Sequence, residues 1–348
     1  MTHALVLSPS CGLGGGIERY VETLEWAFAA QGVDYRRLDL AGSGPTAHAG
    51  LLRQCRAQLR TADSSTRLVV AHRGLLPVAM LAASERPRRE VTVVVHGTDV
   101  WGPRLRPRRQ LERYLMTGSR VRVVAVSSFT AGALVGSCRA AVLPPGLSQA
   151  WFATLVRAAN SAEPRGQGIH LVTAFRLADW LDKGLPQLLE AVAQLGRKDV
   201  RLTVCGSGTP SAELQRLADS YGFCTLASGL SDEQLAGELA SADLCVLATR
   251  TRPGRTAYGE GFGLILLEAQ VAGTPVVAPA HGGCADAYLD GITGVAPANE
   301  SAEMLCVALQ GLLESPAKLA LMSRQAAEWA RQHAAPRRYA ALAVSRLL

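Results

Sequence analysis

Long apolar runs are missing from this sequence of 348 residues. The first ten residues, MTHALVLSPS, have no basic start and no long apolar stretch, and the most apolar later stretch, residues 68–83, is interrupted by His72, Arg73 and Pro77. A secretory signal peptide combines a basic start with an apolar core, and a membrane-spanning helix needs about 18 or more apolar residues in a row. The sequence therefore predicts neither segment, and we expect a cytoplasmic protein.

Closely spaced cysteine pairs are missing too. The eight cysteines stand at positions 11, 55, 138, 205, 224, 245, 284 and 306. None forms a Cys-x-x-Cys pair, and their intervals match no zinc-binding pattern. Most lie in or beside apolar segments, which favours buried free thiols in a reducing compartment over disulfide bonds.

Lysine is scarce, and the positive charge is unevenly placed. Only three of the 36 basic residues are lysines, at positions 183, 198 and 318. Residues 1–150 contain 19 arginines and 10 acidic residues, a net charge of +9, so the remainder carries −2 of the total of +7. This excess fits an acidic ligand or an anionic membrane surface, although a solvated basic face without a partner fits equally well.

The arginines are densest between positions 86 and 113. Eight stand there: Arg86, Arg88, Arg89, Arg104, Arg106, Arg108, Arg109 and Arg113. The guanidinium group of arginine can grip a phosphate with two N–H groups at once. Because no aromatic stacking pattern is interleaved with these arginines, we do not expect nucleic acid as a partner.

Apolar segments without polar alternation recur along the chain, with helical stretches between them. They predict strands near residues 3–7, 68–71, 91–95 and 121–126, and again near residues 169–173, 201–205, 244–248 and 275–278. Such strands are typical of parallel sheets that are covered by helices on both faces. We therefore predict an α/β protein with two Rossmann-like, doubly wound domains facing a cleft, because such folds bind ligands at the carboxyl ends of their strands.

The domain boundaries follow from the same pattern. Residues 1–150 would form the N-terminal domain and residues 169–330 the C-terminal domain. Residues 151–168 have a mixed composition that includes Pro164-Arg165-Gly166, and they are interpreted as the linker. Residues 331–348 are predicted as a C-terminal helix, for which a return to the N-terminal domain is one option.

The most specific segment is Glu260-Gly-Phe-Gly-Leu-Ile-Leu-Leu-Glu268, with two glutamates on either side of seven residues. The glycines let the backbone approach a ligand closely, and the predicted helix behind them offers free N–H groups to a diphosphate. Each carboxylate can accept paired hydrogen bonds from a vicinal diol. Glu268 stands in a largely apolar helix, where a glutamate needs a specific reason.

This segment resembles the E-x7-E signature of glycosyltransferase family 4. The sequence Ala272-Gly273-Thr274-Pro275-Val276-Val277 and the pair Gly282-Gly283 resemble the continuation of that signature, and the resemblance extends over nearly the whole chain. It implies a retaining enzyme of the GT-B architecture. It also implies that Glu260 contacts the hydroxyls of the donor sugar and Glu268 the ribose, while the backbone of Phe262, Gly263 and Leu264 faces the sugar and the diphosphate.

A second matching site consists of Arg176 and Lys183-Gly184, which flank a loop between a predicted strand and helix. Fixed cations can stabilise a departing diphosphate without a metal ion. Phe175 stands where the family usually has glycine. Because no Asp-x-Asp pair lies beside a predicted strand end, we expect no metal and no cofactor other than the nucleotide sugar as co-substrate.

Residues 14–18, Gly-Gly-Gly-Ile-Glu, resemble a third site of the family. The resemblance implies that Gly15 and Gly16 line the donor phosphates and that Glu18 faces the acceptor. A dinucleotide-binding G-x-G-x-x-G motif would need a glycine at Ile17 or Arg19, so the segment argues against a nicotinamide dehydrogenase.

His96 follows the predicted strand 91–95 and matches the histidine that the family places close to the reacting sugar. An imidazole there could hold a sugar hydroxyl or stabilise developing positive charge. We expect Asp99, Arg104 and Arg108 on the acceptor side. Ser127-Ser128 and Pro144-Pro145-Gly146 resemble family landmarks whose main use is structural.

The resulting hypothesis is a metal-independent transferase that moves a hexose-type sugar from a UDP- or GDP-sugar to a small-molecule, glycan or lipid-linked acceptor. Catalytic roles fall to His96, Arg176, Lys183 and Glu260. The basic N-terminal domain suggests an acidic acceptor or peripheral contact with the inner face of the membrane. Two alternatives remain at this point: a sugar-nucleotide-processing enzyme of the same fold, such as an epimerase, and a non-catalytic relative.

Overall fold

The computed structural model describes residues 3–9, 15–85, 89–101, 107–162, 168–252 and 259–348. The chain divides into two compact units. Unit 1 takes Met1–Ser148 and Pro336–Leu348, and unit 2 takes Gln149–Arg252 and Tyr258–Ala335. Each unit contains a six-stranded parallel sheet flanked by helices, so the predicted α/β class with two Rossmann-like domains is confirmed.

The sheet of unit 1 has the strand order β2-β1-β3-β4-β5-β6. Its strands are β1 (His3–Ser8), β2 (Asp34–Asp39), β3 (Arg67–Val70), β4 (Val91–Val95), β5 (Val121–Ala125) and β6 (Ala140–Val142). Strand β2 lies at the edge and reads DYRRLD, with only Leu38 buried. A sequence search for apolar runs misses it, because an edge strand does not need to be apolar on both faces.

The helices of unit 1 cover both faces of its sheet. They are α1 (Gly16–Ala30), α2 (Gly44–Thr61), α3 (Leu76–Ala82), α4 (Thr98–Trp101), α5 (Pro107–Met116), α6 (Ser128–Gly132) and α14 (Pro336–Leu347). Successive strand residues point to opposite faces. Leu5 and Leu7 pack with Leu51 and Leu59 of α2 in one core cluster, and on the other face the Thr92 hydroxyl donates to the Leu347 carbonyl of α14 at 2.9 Å.

Helix α14 is fixed to unit 1 by a close aromatic contact. It packs against α1, and a side-chain carbon added at Gly146 would overlap the ring of Tyr339. Gly146 belongs to the Pro-Pro-Gly landmark, so its structural use here is to admit this ring. Tyr339 and Tyr20 of α1 are both buried, and the Tyr20 ring in turn meets the imidazole of His96 edge to face, with centroids 5.1 Å apart.

The sheet of unit 2 has the order β12-β11-β10-β7-β8-β9. Its strands are β7 (Ile169–Ala174), β8 (Val200–Gly206), β9 (Cys224–Ser228), β10 (Leu244–Val246), β11 (Val276–Val277) and β12 (Gly294–Val295). Its helices are α7 (Gln149–Ser161), α8 (Leu185–Gln194), α9 (Ala212–Asp219), α10 (Asp232–Ser241), α11 (Leu264–Val271), α12 (Ala302–Leu313) and α13 (Pro316–His333).

The predicted linker 151–168 is wrong for most of its length. Residues 149–161 form α7, which belongs to unit 2 and buries Trp151 and Leu155. Helix α7 packs against α10 and α11, so its apolar side chains have partners that local sequence does not reveal. The Pro164-Arg165-Gly166 signal lies outside the described residues.

The seven described cysteines form no disulfide bonds, as expected, and five of them are buried. Burial raises the pKa of the thiols, to about 12 for Cys55 and Cys205. Within the described ranges no three His, Cys, Asp or Glu side chains are grouped as a metal site would need. No single described helix has the length and apolar character to span a membrane; α12 and α13 reach that threshold only together, with a bend of 96° between them.

Candidate active site

Three neighbouring strands of unit 2 bring the predicted donor residues to one edge of the sheet. Arg176 and Lys183 follow β7, Glu260 follows β10, and Gly282-Gly283 follow β11. Because β7, β10 and β11 are adjacent and parallel, their carboxyl ends meet at the same edge, where α/β folds bind ligands. The Gly283 amide donates to the Glu260 carbonyl at 2.9 Å and fixes the two loops to each other.

Lys183 and Glu260 form the closest ion pair of this edge. The Lys183 ammonium donates to Glu260 Oε2 at 2.6 Å, and both side chains are about four-fifths buried. Burial disfavours the charged ammonium, but the Glu260 carboxylate outweighs it, so the pKa of Lys183 is raised. Lys183 therefore stays positively charged at neutral pH and can offer its remaining N–H groups to an anion.

Arg176 precedes Lys183 by seven positions in the same loop region and is more exposed. Its guanidinium donates to Asp179 Oδ2 from Nε at 2.9 Å and lies 2.8 Å from the same oxygen through Nη2. The side chain remains 51% exposed. Asp179 also orders the loop, because its carbonyl accepts the Lys183 amide at 2.9 Å. Phe175, at the family's glycine position, packs against the core of unit 2, and this loop still presents both cations.

The segment 260–268 forms a loop that enters α11. Gly263 is the residue before the helix and has φ +85°, a left-handed conformation that favours glycine. Phe262 is buried beneath the loop, and Leu264 is the first residue of α11. The first amides of a helix have no partner within it, so this end of α11 suits an anion.

Glu268 lies in the interior of α11 and is only 5% exposed. Its Oε1 accepts a hydrogen bond from Nε1 of Trp151 on α7 at 2.9 Å. The indole is therefore one reason why a carboxylate is tolerated in this apolar helix. Trp151 is not recognisable from the sequence, because 117 positions separate it from Glu268 and the composition of its segment is typical of a linker.

Two threonines of the loop after β10 also escaped prediction. The Thr249 hydroxyl lies 3.5 Å from Glu260 Oε2. The amide of Thr251 donates to Glu300 Oε1 at 2.9 Å. Neither residue belongs to a sequence pattern that would have selected it.

In unit 1, His96 follows β4 as predicted, and its ring is held on several sides. Its Nε2 lies 2.7 Å from the Ala71 carbonyl, so that nitrogen carries the proton and donates. Burial lowers the pKa of His96 to about 4, against the opposing effect of Asp99. The ring is thus neutral at physiological pH, and Nδ1 is an acceptor suited to a sugar hydroxyl. A neutral ring is compatible with both roles expected from the sequence, holding a sugar hydroxyl and stabilising developing positive charge.

Asp99 has a structural task that the sequence did not suggest. Its Oδ1 accepts the backbone amides of His96 at 3.0 Å and Gly97 at 2.8 Å, which fixes the turn that carries the imidazole. Its Oδ2 is buried and has no hydrogen-bond partner among the described residues. The expected acceptor contact of Asp99 stays a prediction.

The predicted arginine cluster separates into different roles. Arg89 is buried and donates to the carbonyls of Thr66 and Asp63, so it is structural and not a ligand-binding group. Arg108 donates to Glu112 at 3.1 Å and to the Gly74 carbonyl at 2.9 Å, yet it remains 59% exposed. Arg86, Arg88, Arg104 and Arg106 lie outside the described residues.

A buried ion pair supports α5 from beneath. Arg73 Nε lies 3.0 Å from Glu112 Oε2, and both side chains are almost fully buried. Burial lowers the pKa of Arg73, while Asp99 and Glu112 act in the opposite direction. Arg109 has a buried Nη1 to which no residue in the described ranges forms a hydrogen bond. Arg73, Arg108 and Arg109 thus outnumber the acids Asp99 and Glu112 around this helix.

The outer face of α5 is both basic and apolar. Arg108, Leu111 and Tyr114 follow one another at intervals of three and therefore share a helix face. Leu111 is 49% and Tyr114 74% exposed. Helices that lie on lipid headgroups combine cations on a polar face with leucine or aromatic side chains on an apolar face, and α5 exposes both kinds of side chain.

The remaining predicted residues of unit 1 lie at the start of α1. Gly15 precedes the helix, Gly16 opens it, and Glu18 lies in its first turn. They follow β1, which is two positions from β4 in the sheet, with β3 between them. The carboxyl edge of unit 1 therefore carries these residues and His96. Ser127 caps α6 through the Thr130 amide at 3.2 Å, which is a structural role as expected.

The chain is similar to known glycosyltransferases. The family model described as "Glycosyl transferases group 1" matches residues 169–329. The chain is 31% identical over 266 residues to the GDP-mannose-dependent alpha-(1-6)-phosphatidylinositol monomannoside mannosyltransferase of Mycolicibacterium smegmatis, covering 73% of this chain and 69% of that protein. It is 31% identical over 244 residues to the D-inositol 3-phosphate glycosyltransferase of Arthrobacter sp. strain FB24, covering 65% and 55% respectively.

Among solved structures, sucrose-phosphate synthase from Thermosynechococcus elongatus superposes with a TM-score of 0.77 over 99% of this chain and 97% of that one. The two sequences are 20% identical. This similarity supports the fold alone.

Proposed function

Because the chain belongs to the glycosyl transferases group 1 family and is a glycosyltransferase, we propose that it is a retaining hexosyltransferase that takes its donor as a GDP- or UDP-sugar. The GDP-mannose dependence in the name of the mycolicibacterial relative makes GDP-mannose the first donor to test. The edge of unit 2 that carries Arg176, Lys183 and Glu260, the donor edge, binds the nucleotide sugar. The carboxyl edge of unit 1 supplies the acceptor side.

The observation that carries the donor assignment is the arrangement around Lys183. The raised pKa of Lys183 keeps its ammonium positively charged, and Glu260 lies 2.6 Å from it. Helix α11 begins at Leu264, a few residues after Glu260. A diphosphate would take charge from Lys183, Arg176 and the free amides of α11. Glu260 would then accept hydrogen bonds from the sugar, and Glu268 from the ribose.

The proposed reaction is a front-face displacement, which the resemblance to glycosyltransferase family 4 implies. The bond between the anomeric carbon and the diphosphate oxygen breaks, and the acceptor oxygen forms its bond to that carbon on the same face. The acceptor hydroxyl passes its proton to the departing phosphate. Lys183 and Arg176 stabilise the charge that develops on the diphosphate, and neutral His96 accepts a hydrogen bond from the sugar through Nδ1. Because protein cations serve the diphosphate, the reaction is proposed to need no divalent metal.

The acceptor is proposed to carry a phosphate and to reach the enzyme from an anionic membrane surface. Arg108 is half exposed at the outer face of α5, beside exposed Leu111 and Tyr114. Cations near such a surface contribute about 1 kcal/mol each, and salt screens them over about 8–10 Å. Both relatives named above have inositol phosphate groups in their names, which fits the same chemistry.

The decisive experiment is a transfer assay with separated arms. The purified protein is given GDP-mannose or UDP-glucose together with soluble inositol phosphate or with vesicles that contain phosphatidylinositol. Mass spectrometry detects the product, and release of nucleoside diphosphate gives the rate. A product in the vesicle arm alone supports the membrane-borne acceptor, and a product in the soluble arm alone points to a free phosphate. Absence of any donor turnover with every acceptor would overturn the proposal.

The contribution of α5 is tested with R108Q and with R197Q as a matched control. Arg197 is an exposed arginine of unit 2 that pairs only with its neighbour Asp199 among the contacts described. R108Q should raise the acceptor requirement or weaken vesicle sedimentation, with donor affinity unchanged, and R197Q should do neither. Equal behaviour of the two variants would leave α5 as a solvated basic face.

A further inference from the structure

The packing of the Trp151 ring does not explain why this residue carries an N–H group. It lies on α7, it is only 5% exposed, and its indole N–H points at a carboxylate on another helix. An aromatic residue that merely filled the space between α7 and α11 would not need a polar group. The tryptophan N–H is a donor only, so its hydrogen bond specifies an acceptor at one position.

Glu268 is the acceptor, and its surroundings are costly for a charge. The carboxylate lies in an eight-residue helix in which Leu266, Leu267, Ala269 and Val271 are buried with it. A buried carboxylate is tolerated only when hydrogen-bond donors reach it. Nε1 of Trp151 lies 2.9 Å from Oε1, the usual distance of an N–H···O hydrogen bond. The indole therefore helps to set the orientation of the carboxyl plane.

We infer that Trp151 is a positioning residue: its indole N–H holds the Glu268 carboxylate in the orientation that receives the ribose hydroxyls of the donor nucleotide. This inference rests on the proposed function, in which Glu268 binds the ribose. A glutamate side chain has three rotatable bonds, and a rigid partner reduces the freedom that nucleotide binding would otherwise have to remove. Helix α7 thus acts in donor recognition, although it carries no predicted donor residue.

The test compares W151F with the parent protein. Phenylalanine keeps an aromatic ring on α7 but removes the N–H donor. The probes are GDP, 2′-deoxy-GDP and 3′-deoxy-GDP, or the uridine series if the parent prefers UDP, measured by calorimetry. A hydrogen bond between a hydroxyl and a charged group contributes enough for the parent to bind the ribose form about 10-fold or more tightly than a deoxy form. In W151F this ratio should fall below about 3, and the turnover number at saturating donor should change little.

The ratio separates positioning from a general loss of structure. Partial unfolding multiplies the dissociation constants of both probes by the same factor, so their ratio does not change. W329F is the matched control: Trp329 lies on α13 of the same unit, and its ring stacks on His333. It should keep the parent ratio. W151H, whose smaller ring retains an N–H, should keep more of the ratio than W151F and gives a second measurement if W151F does not fold.

The outcomes are distinct. A parent that binds neither nucleoside diphosphate overturns the proposed function itself. The role of Trp151 alone is overturned if the parent prefers the ribose form and W151F or W151H prefers it equally. It is also overturned if the ratio of W151H is no higher than that of W151F. A collapsed ratio in W151F with a preserved ratio in W151H and W329F supports the inference.

Discussion

Lys183 Nζ and Glu260 Oε2 lie 2.6 Å apart, although 77 positions separate the two residues in the sequence. The pair joins the loop after β7 to the loop after β10 at the donor edge of unit 2. The two residues were predicted to serve different parts of the donor, the diphosphate and the sugar. Their contact means that Glu260 holds Lys183 in its charged form, and that substituting either residue changes the surroundings of the other.

The first prediction separates Lys183 from Arg176. K183A should lower turnover about 100-fold or more, because one lost transition-state donor costs about 2.7–4 kcal/mol. It should also lower the free energy of unfolding by about 1–3 kcal/mol, because Glu260 would keep a mostly buried carboxylate without its cation. R176A should lower turnover similarly without this loss of stability, since Arg176 is 51% exposed. Thermal unfolding and initial rates measure both effects. Equal free energies of unfolding in the two variants would contradict the burial of the Lys183–Glu260 pair and the exposure of Arg176.

The second prediction distinguishes the role of Glu260 from that of Glu268. E268Q should weaken binding of free nucleoside diphosphate, because Glu268 is expected to hold the ribose. E260Q should leave that binding closer to the parent value and chiefly lower sugar transfer. Calorimetry with the nucleoside diphosphate and a transfer assay distinguish them. The division fails if both variants bind and transfer as the parent does.

The third prediction concerns pH. The pKa of His96 is lowered to about 4 in the folded protein, against about 6.5 in the unfolded chain. The unfolded state therefore binds more protons between these values, and the free energy of unfolding falls as the pH is lowered from about 6.5 to 4. The slope from one such group reaches at most about 1.4 kcal/mol per pH unit.

H96Q should remove the His96 share of this slope, while the share of His170, whose pKa is also lowered by burial, remains. Denaturant unfolding at pH 5, 6 and 7 gives the comparison. Because the pKa of His96 is lowered to about 4, protonation of His96 should not reduce the turnover of the parent as the pH falls through 6.5. Identical slopes in the parent and H96Q would show that His96 is not buried neutral.

The fourth prediction concerns how α14 is held on unit 1. G146A should destabilise the protein by about 1–3 kcal/mol, because the added methyl group would overlap the Tyr339 ring and force a shift. G50A is the matched control. Gly50 lies within α2 with nothing within 4 Å of an added carbon, so alanine there should be neutral or slightly stabilising. Chemical denaturation of both variants decides, and equal stability would exclude the Tyr339 contact as a constraint.

The fifth prediction concerns metals. Arg176, Lys183 and the amides of α11 are proposed to serve the diphosphate, so transfer should continue in EDTA at close to the rate seen with magnesium or manganese. Activity that EDTA abolishes and either metal restores would contradict this assignment.

The sequence predicted the elements that local chemistry determines. Most central strands are continuous apolar runs, and β4 was placed at its observed bounds, residues 91–95. The residues of the 260–268 segment could be assigned to a loop and a helix because the glycines and the apolar run mark the transition. Edge strand β2 was missed because its residues are mostly polar and half exposed.

The long-range contacts of the site could not be predicted in the same way. The bonds from Lys183 to Glu260 and from Trp151 to Glu268 depend on strand order and helix packing, which leave no periodic pattern near either residue. The neutral state of His96 depends on burial, and its tautomer depends on the Ala71 carbonyl, which only the folded chain brings to the ring. Arg89 shows the reverse case, since a residue chosen for its charge is used to hold backbone carbonyls.

The donor site is tested by calorimetric titration of the parent, K183A and E268Q with GDP and with UDP, in the presence of EDTA. The parent should bind at least one of the two nucleotides at one site per chain, and both variants should bind it at least about 10-fold more weakly, since each loses a charged hydrogen-bond partner. Absence of binding to the parent, or equal affinity in all three proteins, would contradict a donor site at the edge formed by Lys183, Glu260 and Glu268.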